Sequence, residues 1–143
     1  MVKLIVGLRG TGKTKTLIDM ANDALQKSSG KVVCVEKGQK LKFDIKYQAR
    51  LIDTAEYDIC GTDALYGLLC GLYEANYDTT HIFIDSALKI CSDKAKTEEE
   101  NIANFARFIQ LADKISDKNN FQCIVTASVS PEKLPEDIIR YTE

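Results

Sequence analysis

Eight residues near the N-terminus match a phosphate-binding pattern. The run from Gly7 to Thr14 fits G-x-x-x-x-G-K-[ST] at every fixed position. Glycines without a Cβ let successive backbone N–H groups approach one anion, Lys13 would bridge the β- and γ-phosphates of a nucleoside triphosphate, and the Thr14 hydroxyl would ligate Mg²⁺. The alternative is a glycine-rich turn without a ligand, in which the Lys13-Thr14 pair has no use. The residues predicted to contact the nucleotide are Gly7, Leu8, Arg9, Gly10, Thr11, Gly12, Lys13, Thr14 and Lys15.

The segments on either side of this run predict a strand and a helix. A short apolar stretch from Leu4 to Val6 precedes it and is typical of a buried strand. Apolar residues recur at helical spacing after it, so we expect a helix to begin at or just after Lys13. The dipole and unpaired N–H groups of that helix would point at the same phosphate.

A second apolar strand ends in an acid. The residues from His81 to Ile84 predict a strand, and Asp85 closes it. An aspartate at the carboxyl end of a central strand can hold Mg²⁺ across from Thr14. The alternative is a solvated strand-end acid or a helix cap.

With these two motifs the chain resembles the P-loop nucleoside triphosphatase superfamily, with Gly7–Thr14 as the Walker A element and Asp85 as the Walker B acid. The resemblance implies a Mg-nucleotide-binding α/β domain. GTPases of the superfamily usually carry N-K-x-D on a late strand, and the run Cys123–Ser128 lacks it. We therefore expect the additional-strand, RecA-like branch, with ATP as the first candidate and other nucleoside triphosphates left open.

The residue after Asp85 departs from the pattern of that branch. Many of its members carry a glutamate there as the base that activates water, and this chain has Ser86. Glu36, at the end of the apolar run from Val32 to Val35, is the candidate replacement; the alternative is an exposed strand-end carboxylate. Thr126 is the candidate γ-phosphate sensor, with Ser128 also in range, although Thr and Ser commonly end strands. The predicted catalytic residues are Lys13, Glu36 and Thr126.

The remaining pattern predicts a single α/β domain over residues 1–143, with a mainly parallel sheet between helices in three layers. We predict further strands at Lys31–Glu36, Arg50–Asp53 and Phe121–Thr126, a helix at Thr62–Ala75, and a helix opened by a capping box of Thr97 and Glu100. In an additional-strand fold, the strand at Phe121 lies between the phosphate-loop strand and the Asp85 strand.

Composition excludes several classes of protein. The chain has 143 residues, of which 45% are hydrophobic, so it is neither too short nor too polar to form a core. A net charge of −2 argues against an obligate nucleic-acid binder. Five cysteines without Cys-x-x-Cys spacing, beside one histidine, predict reduced thiols rather than a zinc site. No apolar stretch predicts a membrane span or signal peptide, and we expect a cytoplasmic protein.

Two further segments bear on partners. Apolar residues alternate at Leu41, Phe43, Ile45 and Tyr47 among lysines, which favours a half-buried edge strand or hairpin with Phe43 and Tyr47 buried; a basic contact surface for nucleic acid or an acidic protein is the alternative. In the helix Thr62–Ala75, a second stripe of Tyr66, Cys70 and Tyr73 predicts a homo-oligomeric or protein-partner contact. Burial inside the same chain explains this stripe equally well.

Three functions remain open. The first is a Mg-dependent ATPase whose turnover is weak or depends on a partner or on oligomerisation. The second is a nucleotide-sensing regulatory or adaptor module that does not hydrolyse, and the third is a small-molecule kinase. The segment from Ser86 to Lys96 lacks periodicity and predicts either a loop that responds to the γ-phosphate or an inert connection.

Overall fold

Apolar runs of the sequence form the strands of one sheet. The computed structural model describes residues 1–46 and 48–143. Within them the sheet has five strands, and every strand pairing is parallel. The strands are β1 (Val2–Gly7), β2 (Lys31–Glu36), β3 (Arg50–Asp53), β4 (Thr79–Ile84) and β5 (Gln122–Ser128). The predicted α/β class with a parallel sheet is confirmed.

Helices cover both faces of the sheet. They are α1 (Lys13–Lys27), α2 (Thr62–Ala75), α3 (Ala87–Cys91), α4 (Glu98–Asn119) and α5 (Glu136–Ile139). Successive strand residues point to opposite faces, so alternate residues enter different cores. In β2, Val32 and Cys34 pack with α1, while Val33 and Val35 join the larger core with α2, α3 and α4. This arrangement gives the three predicted layers.

The order of the strands is β1-β5-β4-β2-β3. The strand β5 therefore lies between β1 and β4, as we predicted for the additional strand. Because all strands are parallel, their carboxyl ends meet at one edge, which carries the glycine-rich loop after β1 and Asp85 after β4.

The segment between β2 and β3 is not the predicted edge strand. It forms a 3₁₀ turn at Leu41–Phe43, and its buried residues are Leu41, Ile45 and Ala49, four apart rather than two. These three belong to the buried cluster that α1 forms with its face of the sheet. Phe43 points outward and is 80% exposed, so its predicted burial is wrong. Tyr47 lies outside the described residues.

The segment after Asp85 is partly helical rather than a loop. Ser86 adopts a left-handed conformation with φ 56°, and the short helix α3 follows at once. Its residues Ala87, Ile90 and Cys91 are buried, which explains why five residues form a helix that periodicity could not show.

The second stripe of α2 packs partly within its own chain. The ring of Tyr73 stacks on Phe121 with centroids 5.1 Å apart, and Tyr66 and Tyr73 are half-buried against the main core. This contact supports burial inside one chain. The partner contact through Tyr66, Cys70 and Tyr73 stays a prediction.

Gly67 and Gly71 lie on the exposed side of α2. A Cβ built on either would meet no atom within 4 Å. We therefore expect Gly67→Ala to stabilise the protein by roughly 0.5–1 kcal/mol, because alanine loses less conformational entropy in a helix. Urea denaturation measures the change, with Ala64→Gly, at another exposed position of the same helix, as the matched reverse substitution. A loss of stability in Gly67→Ala would contradict the open space at this position.

The cysteines within the strands behave as small apolar residues. Cys34 and Cys123 are buried in β2 and β5, and burial raises the pKa of each thiol to about 12.

In the described parts of the chain, no helix combines the length and the apolar character that crossing a bilayer requires.

Candidate functional site

The glycine-rich loop, Gly7–Thr14, depends on its glycines for its shape. Gly10 and Gly12 have φ of 84° and 86°, a left-handed conformation that side chains with a Cβ disfavour. A Cβ on Gly7 would lie 2.7 Å from the Thr11 hydroxyl oxygen, so a larger residue there would displace the loop. Of the two fixed glycines of the pattern, Gly12 is explained by its backbone conformation and Gly7 by its closeness to the Thr11 side chain.

Two side chains of the loop bind one carbonyl. Lys13 Nζ donates to the Leu8 oxygen at 2.9 Å, and the Thr11 hydroxyl donates to the same oxygen at 2.7 Å. Gly12 precedes α1 without a capping side chain, and the first turn of α1 has no acidic residue. The helix N-terminus thus keeps its positive end without a carboxylate of its own.

Asp85 joins the loop to the sheet. The Thr14 hydroxyl lies 3.2 Å from both carboxylate oxygens of Asp85, and the Thr126 hydroxyl donates to one of them at 2.6 Å. Asp85 is 8% exposed, and no cationic side chain of the described residues forms a salt bridge with it. The predicted pair of Thr14 and Asp85 is therefore in contact, and Thr126 orients the acid from the neighbouring strand.

The backbone of Ser86 completes this chain of hydrogen bonds. Its N–H donates to the Thr126 hydroxyl at 2.8 Å. The left-handed conformation of Ser86 costs energy for a residue with a side chain, and α3 begins at the next residue. Thr126 thus couples Asp85 to the start of the segment that follows it.

A cleft of about 510 Å³ opens at the carboxyl edge of the sheet between these elements. Five cationic side chains line it, from Arg9, Lys13, Lys15, Lys40 and Lys89, and Asp85 supplies the acidic one. Such a lining favours an anion.

The cleft gathers most of the predicted contact residues. Those that line it are Arg9, Gly10, Gly12, Lys13, Thr14, Lys15 and Asp85, together with Ser128. Gly7, Leu8 and Thr11 shape the loop without lining the cleft, and Thr126 is buried behind Asp85. Sequence reasoning missed Lys40 and Lys89. Neither belongs to a motif, although both follow closely the strands that end at this edge.

Glu36 lies at the same edge but does not line the cleft. Its carboxylate accepts hydrogen bonds from the backbone N–H groups of Lys40 at 3.1 Å and Leu41 at 2.9 Å. Burial raises the pKa of Glu36, those two bonds partly oppose the rise, and the charges of Asp85 and Asp53 add to it. The carboxylate therefore anchors the segment that carries Lys40. Its role as a base stays a prediction.

The raised pKa of Glu36 has a measurable effect on stability. A carboxyl group whose pKa is higher in the folded state binds its proton more tightly there than in the unfolded chain. Its contribution is most favourable below the unfolded-state pKa and is lost as pH rises through the folded-state pKa. Glu36→Gln removes this titration. We therefore expect the free energy of unfolding of wild type, relative to Glu36→Gln, to fall as pH rises from below 4.5 towards neutrality.

Urea denaturation at several pH values measures that difference. Glu56→Gln, which removes an exposed carboxylate, is the matched control for the loss of one negative charge. If the free energy of unfolding of wild type, relative to that of Glu36→Gln, rises with pH, the direction of the pKa shift is contradicted.

The donor set at Asp85 fits a hard divalent cation. A hydroxyl and a carboxylate in contact, without a protein cation beside them, are the oxygen ligands that Mg²⁺ prefers. Mg²⁺ usually keeps several waters and takes few protein ligands, and two are present here. Thr14 and Asp85 are the residues that could hold it.

Comparison with known proteins shows a likeness in fold to a solved structure. No family model matches the sequence, and no curated protein matches it. Among solved structures, the chain is similar to the flagellar accessory protein FlaH from Methanocaldococcus jannaschii, with 18% identity and a TM-score of 0.58, over 99% of this chain and 67% of the FlaH chain. At this identity the likeness concerns architecture alone. The chain is a single α/β domain with a parallel sheet between helices, of the RecA-like fold.

Proposed function

We propose that this protein binds a Mg²⁺-nucleoside triphosphate, with ATP as the first candidate, in the cleft beside the glycine-rich loop. The observation that carries the proposal is the convergence of Lys13, Thr14 and Asp85 at one edge of the sheet, with the Thr14 hydroxyl 3.2 Å from both Asp85 oxygens. The RecA-like fold is a second, weaker support.

The electrostatics of the cleft support a polyphosphate. Five cationic side chains and one carboxylate line a space of about 510 Å³ in a chain whose net charge is −2. The positive charge is thus local rather than general. A triphosphate would replace the Leu8 carbonyl as the partner of Lys13 Nζ, which is now bonded at 2.9 Å.

Mg²⁺ would supply charge neutralisation for the β- and γ-phosphates. Thr14 and Asp85 would hold the cation, and Thr126 would keep the Asp85 carboxylate oriented through its hydrogen bond of 2.6 Å. Gly10 and Gly12 would let the loop backbone follow the phosphates.

Turnover without a partner should be slow. In the described chain the acid that lines the cleft is Asp85, which the metal would occupy, and Glu36 is engaged by two backbone N–H groups. A general base must reach the attacking water within hydrogen-bond distance. We therefore propose a weak ATPase, or one that depends on a partner or on oligomerisation.

One observation favours the second candidate, a nucleotide-sensing module without useful hydrolysis. Thr126 connects Asp85 to the N–H of Ser86, whose left-handed conformation sets the position of α3. A cation held by Asp85 would change the hydrogen bonds that connect Asp85 through Thr126 to Ser86. The start of α3 would then report whether nucleotide is bound.

Two measurements test these proposals. Isothermal titration with Mg-ATP tests binding, and absence of binding would overturn the site. Steady-state hydrolysis over a series of protein concentrations, with Lys13→Ala as the blank, then separates the two activities. Specific activity that rises with concentration supports an oligomer-dependent ATPase, while binding without activity above the blank supports the sensing module.

A further inference from the structure

The segment from Lys37 to Lys46, here called the Phe43 segment, exposes an apolar ring among positive charges. Phe43 is 80% exposed, and Lys42 Nζ lies 5.1 Å from the centre of its ring. Four lysines and one aspartate are its charged residues, and all four lysines are exposed. Aromatic side chains, phenylalanine included, are enriched at protein interfaces, so this ring is a candidate anchor for a partner.

The segment is held in place behind this surface. Leu41 and Ile45 are buried against the core under α1, and Glu36 binds the N–H groups of Lys40 and Leu41. Asn22 of α1 donates to the Asp44 carbonyl at 2.9 Å and accepts from the Lys46 N–H at 3.1 Å. The ring of Phe43 is therefore presented by a fixed backbone, which lowers the entropy that binding would cost.

A groove with the opposite character lies elsewhere on the chain. It has a volume of about 360 Å³, with Ile102, Ala103, Leu134 and Pro135 as its apolar lining. Its charged residues are Glu98, Glu99 and Lys133, and Lys133 Nζ forms a salt bridge with Glu98 at 2.8 Å. We call it the Pro135 groove. Its surroundings are acidic, since α4 begins with three glutamates and α5 with Glu136 and Asp137.

The two surfaces face different ways on one molecule. The Phe43 segment packs on the α1 face of the sheet, whereas Ile102 and Leu134 belong to the core on the opposite face. Strand β4 separates β2, which precedes the segment, from β5, which precedes the groove. The ring of Phe43 thus cannot enter the groove of its own chain.

We propose that the Phe43 segment of one molecule docks in the Pro135 groove of a second copy, with the Phe43 ring on the apolar lining and the lysines beside Glu99 and the acidic first turns of α4 and α5. The charges of the two surfaces are complementary, because the segment carries four lysines and one aspartate, whereas the groove and the first turns of α4 and α5 carry five acids and Lys133. Because the two surfaces differ, the contact is heterologous, and repetition would build a ring or an open chain of subunits.

A second copy fits the observations better than a nucleic acid does. Phe43 offers one ring for base stacking, and the chain as a whole carries a net charge of −2. An acidic groove on the same protein accounts for both the ring and the lysines. This inference does not rest on nucleotide binding, so Lys13→Ala should associate like wild type.

Sedimentation velocity of the full chain over a range of concentrations tests the contact. Phe43→Asp removes the ring, and Ala103→Arg fills the groove from an exposed helix position. We expect wild type to self-associate and each variant to stay at the monomer mass of 15.9 kDa. An equimolar mixture of the two variants should form a species of two chains, because each retains one intact surface. Tyr77→Asp, at a 69% exposed ring at the other edge of the sheet, is the control that should behave like wild type.

Several results would overturn the proposal. A wild type that stays monomeric up to its solubility limit would do so, as would self-association that neither variant changes. Variants that remain monomeric when mixed would also contradict a heterologous contact. If wild type is monomeric and binds a fluorescent oligothymidine, and Phe43→Asp does not, the segment is a nucleic-acid surface instead.

Discussion

Lys13→Ala should weaken binding of Mg-ATP by roughly 10- to 100-fold while leaving the fold intact. A hydrogen bond to a charged partner contributes about 1.5–3 kcal/mol, and each 1.4 kcal/mol is about tenfold in affinity. Lys13 lines the cleft, and among the described residues its Nζ bonds to the carbonyl of Leu8 alone, so its loss should affect the ligand more than the protein. Isothermal titration measures the affinity, and thermal denaturation checks the fold.

The matched control is Lys27→Ala. Lys27 lies on the same helix, in its last turn, and pairs with Asp23 in an exposed contact. Its substitution should leave the affinity for nucleotide unchanged. Equal affinities of wild type and Lys13→Ala would remove the glycine-rich loop from the proposed site.

Asp85→Asn should abolish most of the Mg²⁺-dependent part of triphosphate binding. We expect the ratio of affinities in Mg²⁺ and in EDTA to fall by at least roughly 10-fold, because losing even an outer-shell partner of a metal site costs roughly 10- to 100-fold in metal affinity. Asparagine keeps an oxygen that can accept from Thr14 and Thr126, whose hydroxyls lie within 3.2 Å and 2.6 Å of the acid. The local structure should therefore survive, and the change in affinity then measures the effect of removing the negative charge of Asp85.

Affinity in EDTA separates this result from general damage. Without Mg²⁺ the Asp85 carboxylate repels phosphate, so binding to Asp85→Asn in EDTA should be at least as strong as that of wild type. Asp117→Asn, at an exposed acid near the end of α4, should leave both affinities unchanged. An unchanged Mg²⁺ dependence in Asp85→Asn would exclude this acid as the metal ligand.

Local signals in the sequence were sufficient for most of the elements. The bounds of β2, β3 and α2 agree with the prediction, and the Thr97 side chain accepts from the Glu100 N–H at 3.1 Å in the predicted capping box. Capping residues, glycines and apolar runs act over a few residues, so they are visible in one dimension. The two corrections, at the Phe43 segment and at α3, concern short segments whose conformation depends on the core beneath them.

The residues of the candidate site fall into the same two groups, those that a local pattern predicts and those that depend on the fold. The loop residues and Asp85 were identified from motifs, whereas Lys40 and Lys89 belong to no motif and line the cleft from the segments that follow β2 and β4. The hydrogen-bond partners of Glu36 and Thr126 could not be predicted from their places at strand ends either. The carboxylate of Glu36 accepts hydrogen bonds from two backbone N–H groups, and the hydroxyl of Thr126 donates one to Asp85.

The α/β class, the glycine-rich loop and the acid that faces it could all be predicted from the residues alone. Those features depend on backbone conformation and on apolar periodicity, which neighbouring residues control. The tertiary structure decided that Phe43 is exposed, that Glu36 anchors a segment rather than lining the cleft, and that five cations converge there. Those facts depend on packing between residues far apart in the chain, because the order of the strands brings their ends together.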